Sequence, residues 1–110
     1  MEGMISFGNK RNYEDFKKQI PIEVLPLFDS IREFCFKLGK NVLEDVRMHR
    51  VVFCKSMTFR WFIDVEPGID GVVVKIQKSR KDPIQIIQIK KDQQILEFTE
   101  LFKTAYENIH

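Results

Sequence analysis

The sequence has few of the residues that mark several common protein classes. Its two cysteines, Cys35 and Cys54, form neither a Cys-x-x-Cys pair nor a disulfide framework. No apolar run approaches the roughly 20 residues of a membrane helix, and residues 1–15 lack the apolar stretch of a secretory signal. The only histidines, His49 and His110, have no neighbour at zinc-ligand spacing. We therefore expect a cytoplasmic protein with no membrane segment, no metal and no cofactor.

The composition favours one folded domain. The chain has 110 residues, of which 44% are hydrophobic and 31% charged, so it is too apolar for a disordered chain and too short for two full domains. Residues 1–20 are predicted to be an N-terminal arm that carries a short helix capped by Asn12. Residues 21–110 are predicted to be a single domain.

Helical periodicity appears at both ends of that domain. Apolar side chains recur at helical spacing from Leu25 to Leu38, and Gly39 is a typical residue just after a helix. Asn41 is expected to cap a second short helical turn over Val42–Val46. A second amphipathic stripe predicts a C-terminal helix with Asp92 as its cap.

Strand-like segments fill the middle of the chain and have short connections, which favour antiparallel pairing. The predicted fold class is α+β: a helix, a four-stranded mainly antiparallel sheet and a C-terminal helix, with both helices on one sheet face. The isoleucines of the last strand lie on both of its faces, which indicates a bulge or burial on both sides. The four segments are Met48 to Lys55, Thr58 to Glu66, Val72 to Lys78 and Ile84 to Lys90.

Alternation within the strands predicts what each sheet face carries. Trp61, Ile63 and Val65 are predicted to face the helices. Phe62 is predicted on the opposite, open face, together with the cationic Arg60 and Lys75. An open face with bases and an exposed aromatic can neutralise and stack single-stranded nucleic acid. An ordinary solvated face, or a dimer interface that hides Phe62, explains the same pattern.

Charge is concentrated in the central segment. Residues 47–91 carry ten basic and four acidic side chains, whereas the segments before and after are net negative. Segregated positive charge favours an anionic partner, although lysines and arginines on strands also serve solubility. The residues predicted to bind nucleic acid are Arg47, Arg50, Lys55, Arg60, Phe62, Lys75, Lys78, Arg80 and Lys81.

A nuclease is the enzymatic alternative. The run Gly68-Ile69-Asp70 before one strand and Gln88-Ile89-Lys90 in another resembles the GID…QxK arrangement of Mrr-like PD-(D/E)xK nucleases. In that interpretation Asp70 binds Mg²⁺, Glu66 or Glu33 adds a ligand, and Lys90 orients water or stabilises the phosphorane. Asp70 is equally explained as the polar residue of a tight turn.

One pattern spans about residues 25–109. It consists of LF…IREF…LGKNV…EDV, then IQIK, and a closing helix that contains AYE. It resembles an uncharacterised small α+β domain family labelled "predicted transport protein", whose members occur alone or fused to restriction-type nuclease modules. The resemblance implies an accessory role in DNA transactions and brings no catalytic residues to this chain.

The sequence thus predicts a non-catalytic domain that binds nucleic acid through its basic central segment. Two alternatives stay open. The first is a protein-interaction or homodimerisation domain, and the second is the metal-dependent nuclease. DNA and RNA are not distinguished.

Overall fold

The chain folds as an α+β domain with a single antiparallel sheet. The structure, a computed structural model, describes residues 11–56, 58 and 60–109. The part of the predicted arm that covers residues 1–10 lies outside the described residues. The helices are α1 (Tyr13–Phe16), α2 (Leu25–Lys37) and α3 (Thr99–Asn108), and the strands are β1 (Val42–Val46), β2 (Val51–Lys55), β3 (Arg60–Pro67), β4 (Gly71–Ile76) and β5 (Gln85–Lys90).

The sheet is a five-stranded meander. Its order is β1-β2-β3-β4-β5, and each strand pairs antiparallel with the next, as the short connections predict. The predicted count of four strands is wrong, because residues 42–46 form β1 and not a helical turn. Val42 and Val46 pair with Lys55 and Val51, and both valines are buried there, which a one-turn helix would not achieve.

The N-terminal helix packs into the core. The side chain of Asn12 accepts a hydrogen bond from the Asp15 N–H at 2.8 Å, so the predicted cap is confirmed. Tyr13 and Phe16 are buried, and both rings lie within 6 Å of the Phe28 ring of α2. This short helix therefore covers part of the apolar surface of α2.

Helix α2 follows the prediction closely. Proline stands in its first turn, where the missing N–H costs nothing, and the helix ends two residues before Gly39. The buried residues of α2 recur at spacings of three and four, as an amphipathic helix requires. They are Leu27, Phe28, Ile31 and Cys35.

Both long helices contact the same sheet face. On α2, the Arg32 side chain is bonded to Glu44 of β1, and the Phe36 ring meets Phe53 of β2 edge-on at 5.8 Å. Glu44 and Phe53 are directly opposite each other in the sheet and so share a face. Tyr106 of α3 meets Phe62 of β3 edge-on at 5.3 Å. We call this side the helix face and the other side the open face.

A bulge between β2 and β3 reverses part of the predicted alternation. Phe53 pairs with Ile63, whereas the next residue of β2, Cys54, pairs with Trp61, so Phe62 is an extra residue. Phe62 therefore joins Ile63 on the helix face, where it is 0% exposed. Trp61 lies on the open face with Cys54. The predicted faces of Phe62, Trp61 and Arg60 are wrong for this one reason, since Arg60 stands opposite Lys55, which lies on the helix face.

The last strand has no bulge. Its register with β4 is continuous, and Ile86 is 61% exposed, so the predicted bulge or two-sided burial of this strand is wrong. The chain then turns through a 3₁₀ segment, Ile95–Phe98, into α3. Asp92 does not cap that helix. Instead Gln93 bonds back to Lys90 of the strand.

Candidate nucleic-acid interface

The predicted binding residues are divided between the two ends of the sheet. In an antiparallel meander, the end of β2, the start of β3, the end of β4 and the start of β5 lie at one end. We call it the loop end, and it carries Lys55, Arg60, Lys78, Arg80 and Lys81. We call the other the hairpin end, where residues 47–50 join β1 to β2 and residues 68–70 join β3 to β4. Arg47 and Arg50 lie there.

The two arginines of the hairpin end are neutralised, whereas Lys90, at the end of β5, forms no ion pair among the described residues. Arg47 Nε lies 2.9 Å from Asp45 Oδ2, and Arg50 Nη1 lies 3.4 Å from Asp64 Oδ2. Lys91 pairs with Glu23 at the same end, and its hydrogen bond and charge lower the pKa of the Glu23 carboxyl. Carboxylates therefore already occupy the groups that phosphates would need.

The open face is not a positive surface. Asp64 lies on it, 8% exposed, with Arg50 as its ion-pair partner. Lys75, the remaining predicted cation of this face, stands directly opposite Asp64 in the pairing of β3 with β4. Asp64 therefore has one ion-pair partner in Arg50 and one oppositely charged cross-strand neighbour in Lys75, which itself forms no ion pair among the described residues.

Lys55 has a structural role. Its Nζ donates a hydrogen bond of 2.9 Å to the backbone oxygen of Ile109, at the end of α3. The same ammonium lies 4.5 Å from the centre of the Tyr106 ring. Lys55 thus attaches the C-terminal helix to β2, and its charge is directed into the protein.

Four predicted cations remain, and none of them has a structural partner like that of Lys55 or a carboxylate across the strand like that of Lys75. Among the residues that the structure describes, no ion pair involves Arg60, Lys78, Arg80 or Lys81. All four lie at the loop end, and Arg80 and Lys81 are exposed. They form what we call the basic cluster.

The loop between β4 and β5 has a defined shape. The Ser79 hydroxyl accepts the N–H groups of Lys81 and Asp82, each at 3.2 Å, and donates to the Asp82 carboxylate. These bonds fix the turn from which Arg80 and Lys81 project. Beside it lies a concavity of about 460 Å³, lined by Ile76, Lys78 and residues 82–85.

The exposed aromatic of the sheet is Trp61, not Phe62. Trp61 is half-buried on the open face, and its backbone oxygen accepts a 2.9 Å hydrogen bond from the Gln77 side chain of the β4–β5 loop. Phe62 is fully buried and cannot stack on a base. Sequence contained a signal for this reversal: Trp61, Phe62 and Ile63 are three consecutive large apolar residues, which strict alternation does not accommodate.

Of the residues in the nuclease alternative, Asp70, Gln88 and Lys90 line one cavity at the hairpin end, whereas Glu66 and Glu33 do not. The cavity measures about 250 Å³ and is lined by residues 68–73 and 88–90. Gln88 and Lys90 lie opposite Val73 and Gly71, on the open face, whereas Asp70 is in the turn and its backbone oxygen accepts the Lys91 N–H. Within the described ranges, no group of three or more His, Cys, Asp or Glu side chains could hold a metal ion.

Gly71 explains why β4 and β5 approach so closely beside this cavity. A Cβ at this position would lie 2.1 Å from the backbone oxygen of Ile89, inside van der Waals contact. Only glycine therefore permits this pairing at the start of β4.

Neither thiol is prepared for nucleophilic chemistry. Cys35 is fully buried in α2, and this burial strongly raises its pKa. Cys54 is half-buried beside Trp61, and burial, with the nearby Asp45 charge, raises its pKa to about 11. Both cysteines are therefore protonated at neutral pH and act as packing residues.

No family model, curated protein or solved structure matches this chain. In the part of the chain that the structure describes, no helix is both long and apolar enough to cross a membrane. The functional conclusion therefore depends on the distribution of charge and partners in the molecule itself.

Proposed function

We propose that this domain is a non-catalytic nucleic-acid-binding module that holds a phosphate backbone at the loop end of its sheet. The observation that supports the proposal is the separation of paired from unpaired cations. The hairpin end neutralises its arginines with carboxylates, whereas the basic cluster of Arg60, Lys78, Arg80 and Lys81 has no such partner among the described residues. Unpaired cations grouped on one surface produce the field that attracts a polyanion.

Several features of the loop end suit this role. The Ser79 turn fixes the backbone at Arg80 and Lys81 without using their charges. Binding therefore restricts little more than the side chains of these two residues. Such contacts position a backbone without reading its sequence. Trp61, on the adjoining open face, offers the one indole of the chain for stacking on an unpaired base.

The test is fluorescence anisotropy with short labelled DNA and RNA, single- and double-stranded, over a series of salt concentrations. The double variant Arg80→Ala/Lys81→Ala removes two cations of the basic cluster. The control, Lys17→Ala/Lys18→Ala, removes the same charge from the 3₁₀ segment Lys17–Gln19 that follows α1, where both lysines pair with carboxylates. For duplex DNA we expect the first variant to flatten the slope of log K against log salt by about 1.8, at about 0.9 per phosphate contact.

The control variant should leave the slope near that of the parent protein. Equal effects of the two variants would mean a response to net charge alone, and no binding at low salt would refute the proposal. Tryptophan fluorescence in the same titrations reports whether a single strand stacks on Trp61. Adding Mg²⁺ tests the nuclease alternative, since cleavage lost in Asp70→Ala and Lys90→Ala would replace the present proposal with that one.

A further inference from the structure

Strand β5 is an edge of the sheet, and its outward backbone groups can be identified. The Lys91 N–H bonds to the backbone oxygen of Asp70, and Gln77 N–H bonds to that of Phe62. In an antiparallel pair the bonded positions alternate, so the odd-numbered residues of β5 bond to β4. The N–H and C=O groups of Ile86, Gln88 and Lys90 therefore point away from the sheet.

At one of these three positions, Lys90, the outward backbone groups are already hydrogen-bonded. The Gln93 side chain accepts the Lys90 N–H at 2.8 Å, and the Gln93 N–H donates to the Lys90 oxygen at 2.9 Å. Among the described residues, nothing bonds to the outward groups of Ile86 and Gln88. The open edge is thus reduced to two N–H and two C=O groups in the middle of a strand that carries three isoleucines.

We propose that two copies of this chain associate through β5, in an antiparallel pairing with its two-fold axis at Ile87. In this register Ile86 of each copy lies opposite Gln88 of the other. Each such pair exchanges two hydrogen bonds, so the four open groups of one copy meet the four of its partner. The result is a continuous ten-stranded sheet. The inference is independent of the nucleic-acid proposal.

The side chains of β5 are compatible with this register. On the open face, the exposed Ile86 of one copy would lie beside Gln88 of the other. On the helix face, the two Ile87 side chains would lie against each other. Lys90 would lie opposite Ile84, which is also exposed, so no charge meets its like. An unprotected β-branched edge of this kind is what natural proteins otherwise blunt with charge or proline.

The opposite edge of the sheet lacks this compatibility. Arg47 N–H bonds to Arg50, and Ser56 N–H to Asn41, so the outward groups of β1 belong to Val42, Glu44 and Val46. The two-fold pairing that uses all three of these positions has its axis at Glu44 and would place this carboxylate directly opposite its own copy. Like charges at that position destabilise a strand pair. The contrast favours β5 over β1 as the strand of self-association.

The first measurement is the molar mass of the full chain by sedimentation equilibrium, from micromolar to millimolar concentration. We expect a reversible dimer of twice 13.1 kDa. The variant Gln88→Pro deletes an outward N–H that the sheet of the monomer does not use, whereas Gln88→Ala changes the same side chain and keeps the N–H. Two of four hydrogen bonds are lost in the proline variant, so we expect its dimerisation to weaken about thirtyfold.

A disulfide tests the register itself. In a Cys54→Ala background, Ile87→Cys would bring two thiols to a position where α-carbons lie about 4.5 Å apart, within disulfide range. Gln85→Cys, on the same face, would leave its thiols about 13 Å apart along the strands. Oxidation should therefore cross-link the first variant and not the second.

The possible results separate cleanly. A chain that stays monomeric at millimolar concentration refutes the proposal. A dimer that tolerates Gln88→Pro, or that cross-links at residue 85 and not at 87, places the interface elsewhere and refutes it equally. A dimer that weakens in Gln88→Pro, persists in Gln88→Ala and cross-links only through residue 87 supports it.

Discussion

The two ends of the sheet are stabilised by different interactions. The hairpin end relies on ion pairs, in which Asp45, Asp64 and Glu23 each accept a basic side chain. The loop end relies on packing and neutral contacts: Phe62 meets the Tyr106 ring, and the Tyr106 hydroxyl donates to Asn41. Lys55 attaches α3 to the sheet at this end, but the four cations of the basic cluster form no ion pair within the described residues. This difference between the two ends is the basis of the proposal that the basic cluster binds a polyanion.

The largest expected effect comes from removing the packing of the loop end. Phe62→Ala deletes a fully buried ring and should lower the free energy of unfolding by about 3–5 kcal/mol, a large share of the stability of a small domain. Trp61→Ala, one residue earlier on the open face, should cost clearly less because the indole is only half-buried. Urea unfolding measures both. A larger loss in Trp61→Ala would contradict the bulge that exchanges the two faces.

A smaller effect follows from breaking an ion pair of the hairpin end. Asp64→Asn leaves Arg50 without its ion-pair partner and Lys75 without an oppositely charged cross-strand neighbour, and should lower the free energy of unfolding by about 1–2 kcal/mol. Asp82→Asn makes the same change of charge in the exposed loop beside the basic cluster. It should alter stability by less than about 0.5 kcal/mol.

Asp64→Asn and Asp82→Asn also distinguish the open face from the loop end when nucleic-acid binding is measured. Each adds one unit of positive charge, but only Asp82→Asn removes a carboxylate from the proposed interface. We therefore expect Asp82→Asn to increase affinity more than Asp64→Asn. The reverse order would mean that the open face, not the loop end, is where a phosphate backbone binds.

The sequence was sufficient for those elements whose pattern is periodic. The spacing of apolar residues in α2, its proline start and the Asn12 cap are all local features, and the structure confirms them. Short connections likewise predicted the antiparallel meander. Residues 42–46 were predicted wrongly because their five residues carry too little pattern, and pairing with β2 decides their conformation.

The candidate site was harder to predict because it depends on partners distant in sequence. One extra residue in β3 moves Phe62 into the core and Trp61 onto the open face, and strand alternation does not place such a bulge. Lys55 and Lys78 look alike in the sequence. Their difference arises from Ile109, 54 residues beyond Lys55, whose backbone oxygen binds one ammonium and not the other.

The smallest expected effects come from this pair of lysines, and they should be opposite in kind. Lys55→Met removes the hydrogen bond to Ile109 and the contact with the Tyr106 ring, so it should lower the free energy of unfolding by about 1 kcal/mol. Its salt slope in nucleic-acid binding should not change, because that ammonium faces the protein.

Lys78→Met makes the same substitution at a cation of the basic cluster. Its free energy of unfolding should change by less than about 0.5 kcal/mol, while its salt slope for duplex DNA falls by about 0.9. Urea unfolding measures the stability of both variants, and fluorescence anisotropy measures their salt slopes. If both lysines lowered the slope equally, Lys55 would be a ligand contact after all, and the distinction between anchored and unpaired cations at the loop end would no longer hold.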